Sequence, residues 1–205
     1  MHYANGDDTI QIKAEKFVSK YFQENLPEWA VYHNLQHTTD TVNACLEIGK
    51  GSNVNGDDLE VLCIAAWFHD TGYIFKAEGH EEKSVEIAMN FLKENKYPSS
   101  KLEKVRECIM ATKITNVPQN IMEFIIRDSD LISLGRDDYF RMNNLLKLEI
   151  EKRENKKISE FAWLRRSIHF LLSHIFLTEY AKLNFYPQLK KNLTTLQKQF
   201  ENMYS

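Results

Sequence analysis

The sequence predicts an all-α fold in a single domain, and three observations carry that prediction. Apolar residues recur at helical spacing along almost the whole chain. Glycine (7) and proline (4) are too few for an all-β protein with its many tight turns, and no glycine follows Gly135. The 205 residues suffice for one well-buried core and are short for two. With no repeat, low-complexity tract or linker in the sequence, residues 1–205 read as one helical bundle.

The first helix is expected over about Asp8–Gln23, with Ile12, Phe17, Val18, Tyr21 and Phe22 facing inward, and "ENLPEW" breaks it. The second should run from near His33 to Ile48, ended by Gly49 and Gly51. After the turn-rich "GSNVNG", "DDLE" reads as a capping box opening a third helix. That helix, "DLEVLCIAAWFHD", is apolar nearly all round, which predicts a central, buried position. "TGYIFKAEG" reads as a loop before a fourth helix from His80 to about Asn95. "YPSSKLEKV" stops that helix and opens another, with Ser100 and Glu103 at capping spacing. Asn120 and Glu123 repeat the pattern ahead of "IMEFIIRDSDLISLG", which Gly135 should terminate. Two long helices and a shorter one after Pro187 complete the count.

Net charge is −3, and no basic stripe with interleaved aromatics occurs, so a dedicated nucleic-acid-binding protein is disfavoured. "EKRENKK" mixes signs and reads as a solvated helix end. Cys45, Cys63 and Cys108 are widely spaced among apolar residues, as reduced core thiols of a cytosolic protein would be. "MHYANGDDTI" lacks the basic start and apolar run of a signal peptide. The apolar runs "VLCIAAWF" and "FLLSHIFL" fall short of the ~20 residues that span a bilayer. The expectation is a cytoplasmic protein with no membrane partner.

Three segments carry chemistry. In "VYHNLQH", His33 and His37 lie four residues apart. One helical turn would place them on one face, sharing a ligand, a metal or a proton, or leave them as two independent surface residues. In "AAWFHDTGY", His69 and Asp70 end the most apolar helix, where a buried aspartate needs a partner or a metal. In "RDSDLISLG", Asp128 and Asp130 interrupt an apolar helix. His37, His69, Asp70 and Asp130 together offer two imidazoles and two carboxylates from three helices. This mixed set suits Mn²⁺, Fe²⁺, Co²⁺, Ni²⁺ or Zn²⁺ better than a lone Mg²⁺ or Ca²⁺. It leaves room for water, whose pKa the ion would lower, and for a phosphoryl oxygen.

This ordered "H…HD…D" set resembles the HD superfamily of metal-dependent phosphohydrolases. More narrowly, "YHNLQH", "AAWFHD", "ATKI", "DSDLISLG" and "FLTEYAKLNFYPQLKKNLTTL" are similar to a group of largely uncharacterised members, from about Trp29 to the C-terminus. The resemblance implies a single HD-type domain with His37, His69, Asp70 and Asp130 as metal ligands. Asp130 is preferred over Asp128 because of the "DL" at Asp130, which leaves Asp128 to cap a neighbouring helix or bond a ligating imidazole. "YHNLQH" also resembles the start of the cyclic-nucleotide phosphodiesterase site. By that likeness His33 is the general acid, acting with Asp70 in catalysis. His80 matches a histidine that two-metal relatives bring to a second ion, with Glu81 and Glu82 beside it, and a weaker Mg²⁺ there is one reading. Those relatives place a further histidine where this chain has Thr112 and Lys113, so Lys113 is read instead as a contact for substrate phosphate.

The remaining residues get plainer readings. His169 and His174 are expected in packing or surface roles. Phe161, Trp163, Phe170, Phe176 and Tyr180 are expected in the core, and Arg127, Arg136 and Arg141 in solvent. The function implied is hydrolysis of a phosphoester of a nucleotide or other small phosphorylated metabolite. A di-iron oxygenase on the same scaffold and a non-catalytic metal- and nucleotide-binding sensor are the alternatives.

Overall fold

A computed structural model describes residues 9–203 as ten α-helices with no strand among them. They are α1 (Ile10–Asn25), α2 (Leu35–Gly51), α3 (Gly56–Phe68), α4 (His80–Glu94), α5 (Ser99–Ala111), α6 (Ile121–Asp130), α7 (Tyr139–Glu154), α8 (Glu160–Ser173), α9 (Glu179–Asn184) and α10 (Tyr186–Asn202). Short 3-10 turns follow α3 (Thr71–Ile74) and α6 (Ile132–Gly135).

The all-round apolar segment becomes the axis of the bundle. Every residue from Val61 to Phe68 of α3 is buried, and α1, α2, α4, α5 and α6 pack around it. Each large aliphatic side chain so buried contributes about 1.5–3 kcal/mol. Phe17, Phe68 and Phe91 join α1, α3 and α4 through ring centroids 4.9–5.7 Å apart. A second layer forms where α10 packs on α8 and on the 3-10 turn after α6, against which α7 also rests. The three cysteines are buried and unbridged, as expected.

Several boundaries differ from the sequence-based expectation, each for a local reason. Asp8, the expected start of α1, lies outside the described residues; Thr9 caps that helix by accepting from the Ile12 amide. Ile12 turns outward and is 40% exposed. Helix α2 begins at Leu35 rather than His33, because the Asn34 side chain accepts from the Gln36 and His37 amides and fixes the N-terminus there. His33 therefore precedes the helix instead of sharing its face with His37. Gly49 and Gly51 lie inside α2, pressed by Leu59 and Tyr180, and Ser52 ends it. Asn55, not "DDLE", caps α3, and Ser100 lies within the first turn of α5 without a capping bond. Helix α6 stops at Asp130, five residues before Gly135. The last helix is long, with Pro187 in its first turn, and the short C-terminal helix is α9.

Two glycines shape the approach to α4. Gly79 adopts φ +68°, a left-handed conformation costly for a side-chain-bearing residue, and sets the start of α4. A Cβ on Gly72 would stand 2.1 Å from the His80 carbonyl oxygen, so the turn after Asp70 packs directly on the backbone that presents His80.

Candidate metal centre and adjoining cavity

The ends of four helices meet at one point. His69 and Asp70 follow directly on the last residue of α3, Asp130 is the last residue of α6, His37 lies in the first turn of α2, and His80 opens α4. The C-termini of α3 and α6 bring partial negative charge to this point and the N-termini of α2 and α4 partial positive charge, so the side chains rather than the helix ends set its field.

The donor atoms lie close together. His37 Nε2 is 3.3 Å from His69 Nε2, 3.3 Å from Asp70 Oδ2 and 3.1 Å from Asp130 Oδ1. His69 Nε2 is 3.1 Å from Asp70 Oδ2 and 3.4 Å from Asp130 Oδ1. One ligand atom each from His37, His69 and Asp70 falls within 4.8 Å of the other two, and Asp130 adjoins both imidazoles. Ligands about 2.1 Å from one ion stand roughly 3.0–3.4 Å apart at adjacent corners, so these spacings fit a shared cation.

Two further observations support that fit. Asp70 Oδ2 is buried without a hydrogen-bond partner. The Nδ1–H of His69 donates to the Ala66 carbonyl at 2.7 Å, so in the neutral imidazole Nε2 is the nitrogen that carries the lone pair, on the side of the cluster. Burial alone would lower the His37 imidazole, but Asp130 and Asp70 raise it to about 9, and the same carboxylates hold His69 well above its ordinary value. Burial would raise Asp70 and Asp130, but the imidazoles pull both well below the usual carboxylate range. A divalent cation would meet that same negative field.

His80 stands on the other side of Asp70, its Nε2 3.2 Å from Asp70 Oδ1, while Nδ1 bonds the Ala77 carbonyl. Burial lowers this imidazole, but Asp70 brings it up to about 8. Glu81 is buried 4.0 Å from His80 Nδ1, on the far edge of the ring from Asp70. Glu82 points elsewhere, into an ion pair with Lys113, so the structure joins neither to the four-residue cluster.

Asp128 makes a different set of contacts from Asp130. It is buried, accepts from the Leu177 and Thr178 amides and the Thr178 hydroxyl at 2.8 Å each, and so pins the start of α9 to α6. Asp128→Ala is expected to destabilise the fold by about 3 kcal/mol, because those buried donors lose their acceptor; a lowered urea midpoint would show it. Arg127, expected in solvent, is instead buried and donates to the carbonyls of Ala111, Lys113 and Asn116, closing the end of α5. Arg141 is exposed and paired with Asp138, His169 is exposed, and His174 is part-buried.

The feature that sequence reasoning missed is Glu149. It is fully buried on α7 and reaches across 116 residues to hold the segment before α2. Its Oε2 accepts from the Tyr32 and His33 amides at 2.8 and 2.9 Å, and its Oε1 lies 2.5 Å from His33 Nδ1 and accepts from the Tyr73 hydroxyl at 2.8 Å. Arg153 donates to the same hydroxyl at 2.8 Å. Burial would raise the Glu149 carboxyl, but His33 and the amides hold it below its usual range. The His33 ring stacks on Tyr73 at 4.1 Å and lies 5.7 Å from His37. A signal existed: Met142, Leu146, Glu149, Ile150 and Arg153 share one helical face.

From His33 and Asp130 a cavity of about 170 Å³ opens between α6, α7 and α8, lined by Leu134, Tyr139, Trp163 and Phe170 among others. Trp163 and Phe170, expected as core residues in preference to a base-stacking platform, are also walls of this cavity.

Among solved structures, the chain superposes with a TM-score of 0.62 on a predicted HD superfamily hydrolase from an uncultured Thermotogales bacterium, 16% identical, over 94% of this chain and 92% of that one. A protein from Listeria innocua matches with a TM-score of 0.64 at 17% identity, over 96% and 94% of the two chains. Bacillus subtilis YpgQ, in complex with ADP, matches with a TM-score of 0.62 at 11% identity, over 94% and 96%. The chain shares its fold with these solved structures, one of which is a predicted HD superfamily hydrolase. No protein-family model and no curated protein matches it. No helix among the described residues is long and apolar enough to cross a membrane.

Proposed function

We propose that the chain is a divalent-metal-dependent phosphohydrolase that cleaves a phosphoester of a nucleotide or another small phosphorylated metabolite. The observation that carries this reading is the convergence of His37, His69, Asp70 and Asp130 on one point, with a carboxylate-held imidazole and a cavity beside it. His37, His69, Asp70 and Asp130 would hold the ion, and Mn²⁺, Fe²⁺, Co²⁺, Ni²⁺ or Zn²⁺ suits their nitrogen and oxygen donors. Such an ion, when bound, polarises a phosphoryl oxygen and acidifies water.

The chain's own residues supply the rest. Glu149 takes the Nδ1–H of His33 and fixes the ring, so the other ring nitrogen is the one that would pass a proton to the leaving oxygen. As water adds to phosphorus and the P–O bond breaks, that proton keeps the departing alkoxide from leaving as an anion. His80 and the outer oxygen of Asp70 offer a place for a second, weaker ion such as Mg²⁺. A nucleotide substrate is supported by the ADP held by Bacillus subtilis YpgQ, a protein of the same fold. A di-iron oxygenase is disfavoured, because Thr112 and Lys113 stand where a further histidine is needed and Lys113 is ion-paired with Glu82.

A phosphate-release screen over nucleotides and sugar phosphates with Mn²⁺, Co²⁺, Ni²⁺ and Mg²⁺ tests the proposal. Metal-dependent release that vanishes in Asp70→Ala is the expected result. Binding of these compounds to the metal-loaded protein without release from any of them would overturn it in favour of a sensor.

A further inference from the structure

Resting on the phosphohydrolase reading above, we infer that Arg166, on the wall of the cavity beside His33 and Asp130, binds a second phosphate carried on the leaving-group part of the substrate. The substrate class is then a phosphoester whose departing alcohol bears a phosphate of its own. The argument starts from the position of the cavity. His33, which faces the leaving oxygen in that reading, and Asp130, from the ligand cluster, both line it. With the scissile phosphate at the ligand cluster, the departing part of the molecule extends from His33 into this cavity.

The charges of the wall then select the occupant. Among the described residues that line the cavity, Arg166 is the one that is exposed, which places it where the cavity meets solvent. It is also the one permanent cation there, and the one carboxylate, Asp130, is engaged with His37 and His69. The Arg166 guanidinium lies 5.4 Å from the Trp163 ring centroid, and cation–π attraction holds it in place. No described residue accepts a hydrogen bond from it or forms an ion pair with it, whereas Arg106 and Arg141 are held by Glu103 and Asp138. Its N–H donors are therefore unspent, and their planar fork matches two oxygens of a phosphate. Arg165, the preceding residue, lies over Phe161 at 5.9 Å and takes no part in the cavity wall. Helix α8 thus carries its own control for a nonspecific effect of positive charge.

The test uses the full chain loaded with Mn²⁺, titrated calorimetrically with linear alkane bisphosphonates of about three to six carbons. Each is compared with the alkylphosphonate of the same length, and because P–C bonds resist hydrolysis no turnover is required. At the best length the bisphosphonate should bind about tenfold more tightly, the scale of one charge-assisted contact. In Arg166→Gln that advantage should fall to within about threefold, and in Arg165→Gln it should persist. Bisphosphonates no tighter than their alkylphosphonates at every length overturn the inference. So does an advantage that Arg166→Gln leaves intact, or that Arg165→Gln removes equally. A phosphonocarboxylate of the same length should bind more weakly than the bisphosphonate; equal affinity overturns the assignment of a phosphate to Arg166. The first comparison needs no variant, so a folding defect cannot mask it. A bisphosphonate advantage without phosphate release from any compound would remove the enzymatic reading alone; release without that advantage would remove the Arg166 contact alone.

Discussion

Asp130→Ala is expected to lower phosphoester turnover by about three orders of magnitude and to bring the bound metal well below one ion per chain. The reason is charge as much as geometry. Asp70 and Asp130 are the two carboxylates at the buried imidazole pair, and together they would neutralise a divalent cation held there. With one removed, the site would hold a net positive charge away from bulk water, which is strongly disfavoured. Asp130→Asn, which keeps the shape and one oxygen but not the charge, should fall between the variant and the parent protein. Asp128→Ala gives the contrast, because its carboxylate serves the Leu177 and Thr178 donors. Under conditions where that variant remains folded, its metal content should match the parent's. Metal analysis by mass spectrometry alongside turnover reads both outcomes. Asp130→Ala with a full complement of tightly held metal would sink the assignment of Asp130 as a ligand.

How much of this was legible in the sequence depends on the range of the interactions involved. The buried α3 was readable because its apolar character is continuous, and an His–Asp pair at the end of such a run has nowhere to go but inside. Asp130 was readable for a similar reason, since a carboxylate after "FII" demands a partner. The His33–His37 spacing brought the two rings together by a different route from the one expected: Asn34 starts α2 after His33, so they meet through a capped turn rather than along one helix face. Glu149 escaped because "KLEIEKRE" is dense in charge and reads as a solvated stretch, while its burial is set by partners more than a hundred positions away. Arg127 escaped likewise, its three acceptors being carbonyls of a turn whose path no local pattern specifies. Local propensity marked the helices and the buried His and Asp residues at their ends; long-range closure decided which charged residues pack beside them.

The proton-transfer role of His33 makes a prediction that a purely structural role does not. His33→Ala should reduce kcat by about 10²–10³ on substrates that leave as an alkoxide, the usual range for a lost general acid. On p-nitrophenyl esters, whose leaving group is stable as an anion, the same variant should lose less than about tenfold, because little protonation is needed there. Added imidazole should restore part of the alkoxide-leaving activity to His33→Ala by supplying the missing donor. Metal content should stay at the parent level, unlike that of His37→Ala, since His33 hydrogen-bonds Glu149, stacks on Tyr73 and meets His37 only by a ring edge. Glu149→Gln tests the residue behind it. The amide keeps an acceptor for the Tyr32 and His33 backbone but removes the carboxylate oxygen that receives the His33 Nδ1–H. It should therefore reproduce the leaving-group dependence of His33→Ala at smaller amplitude, with imidazole giving no rescue because the site is still filled by His33. Equal slowing of alkoxide and p-nitrophenolate departure in His33→Ala would mean that the ring positions the segment and moves no proton. Parallel loss of metal in His33→Ala and His37→Ala would place both imidazoles on the ion and end the division of labour between them.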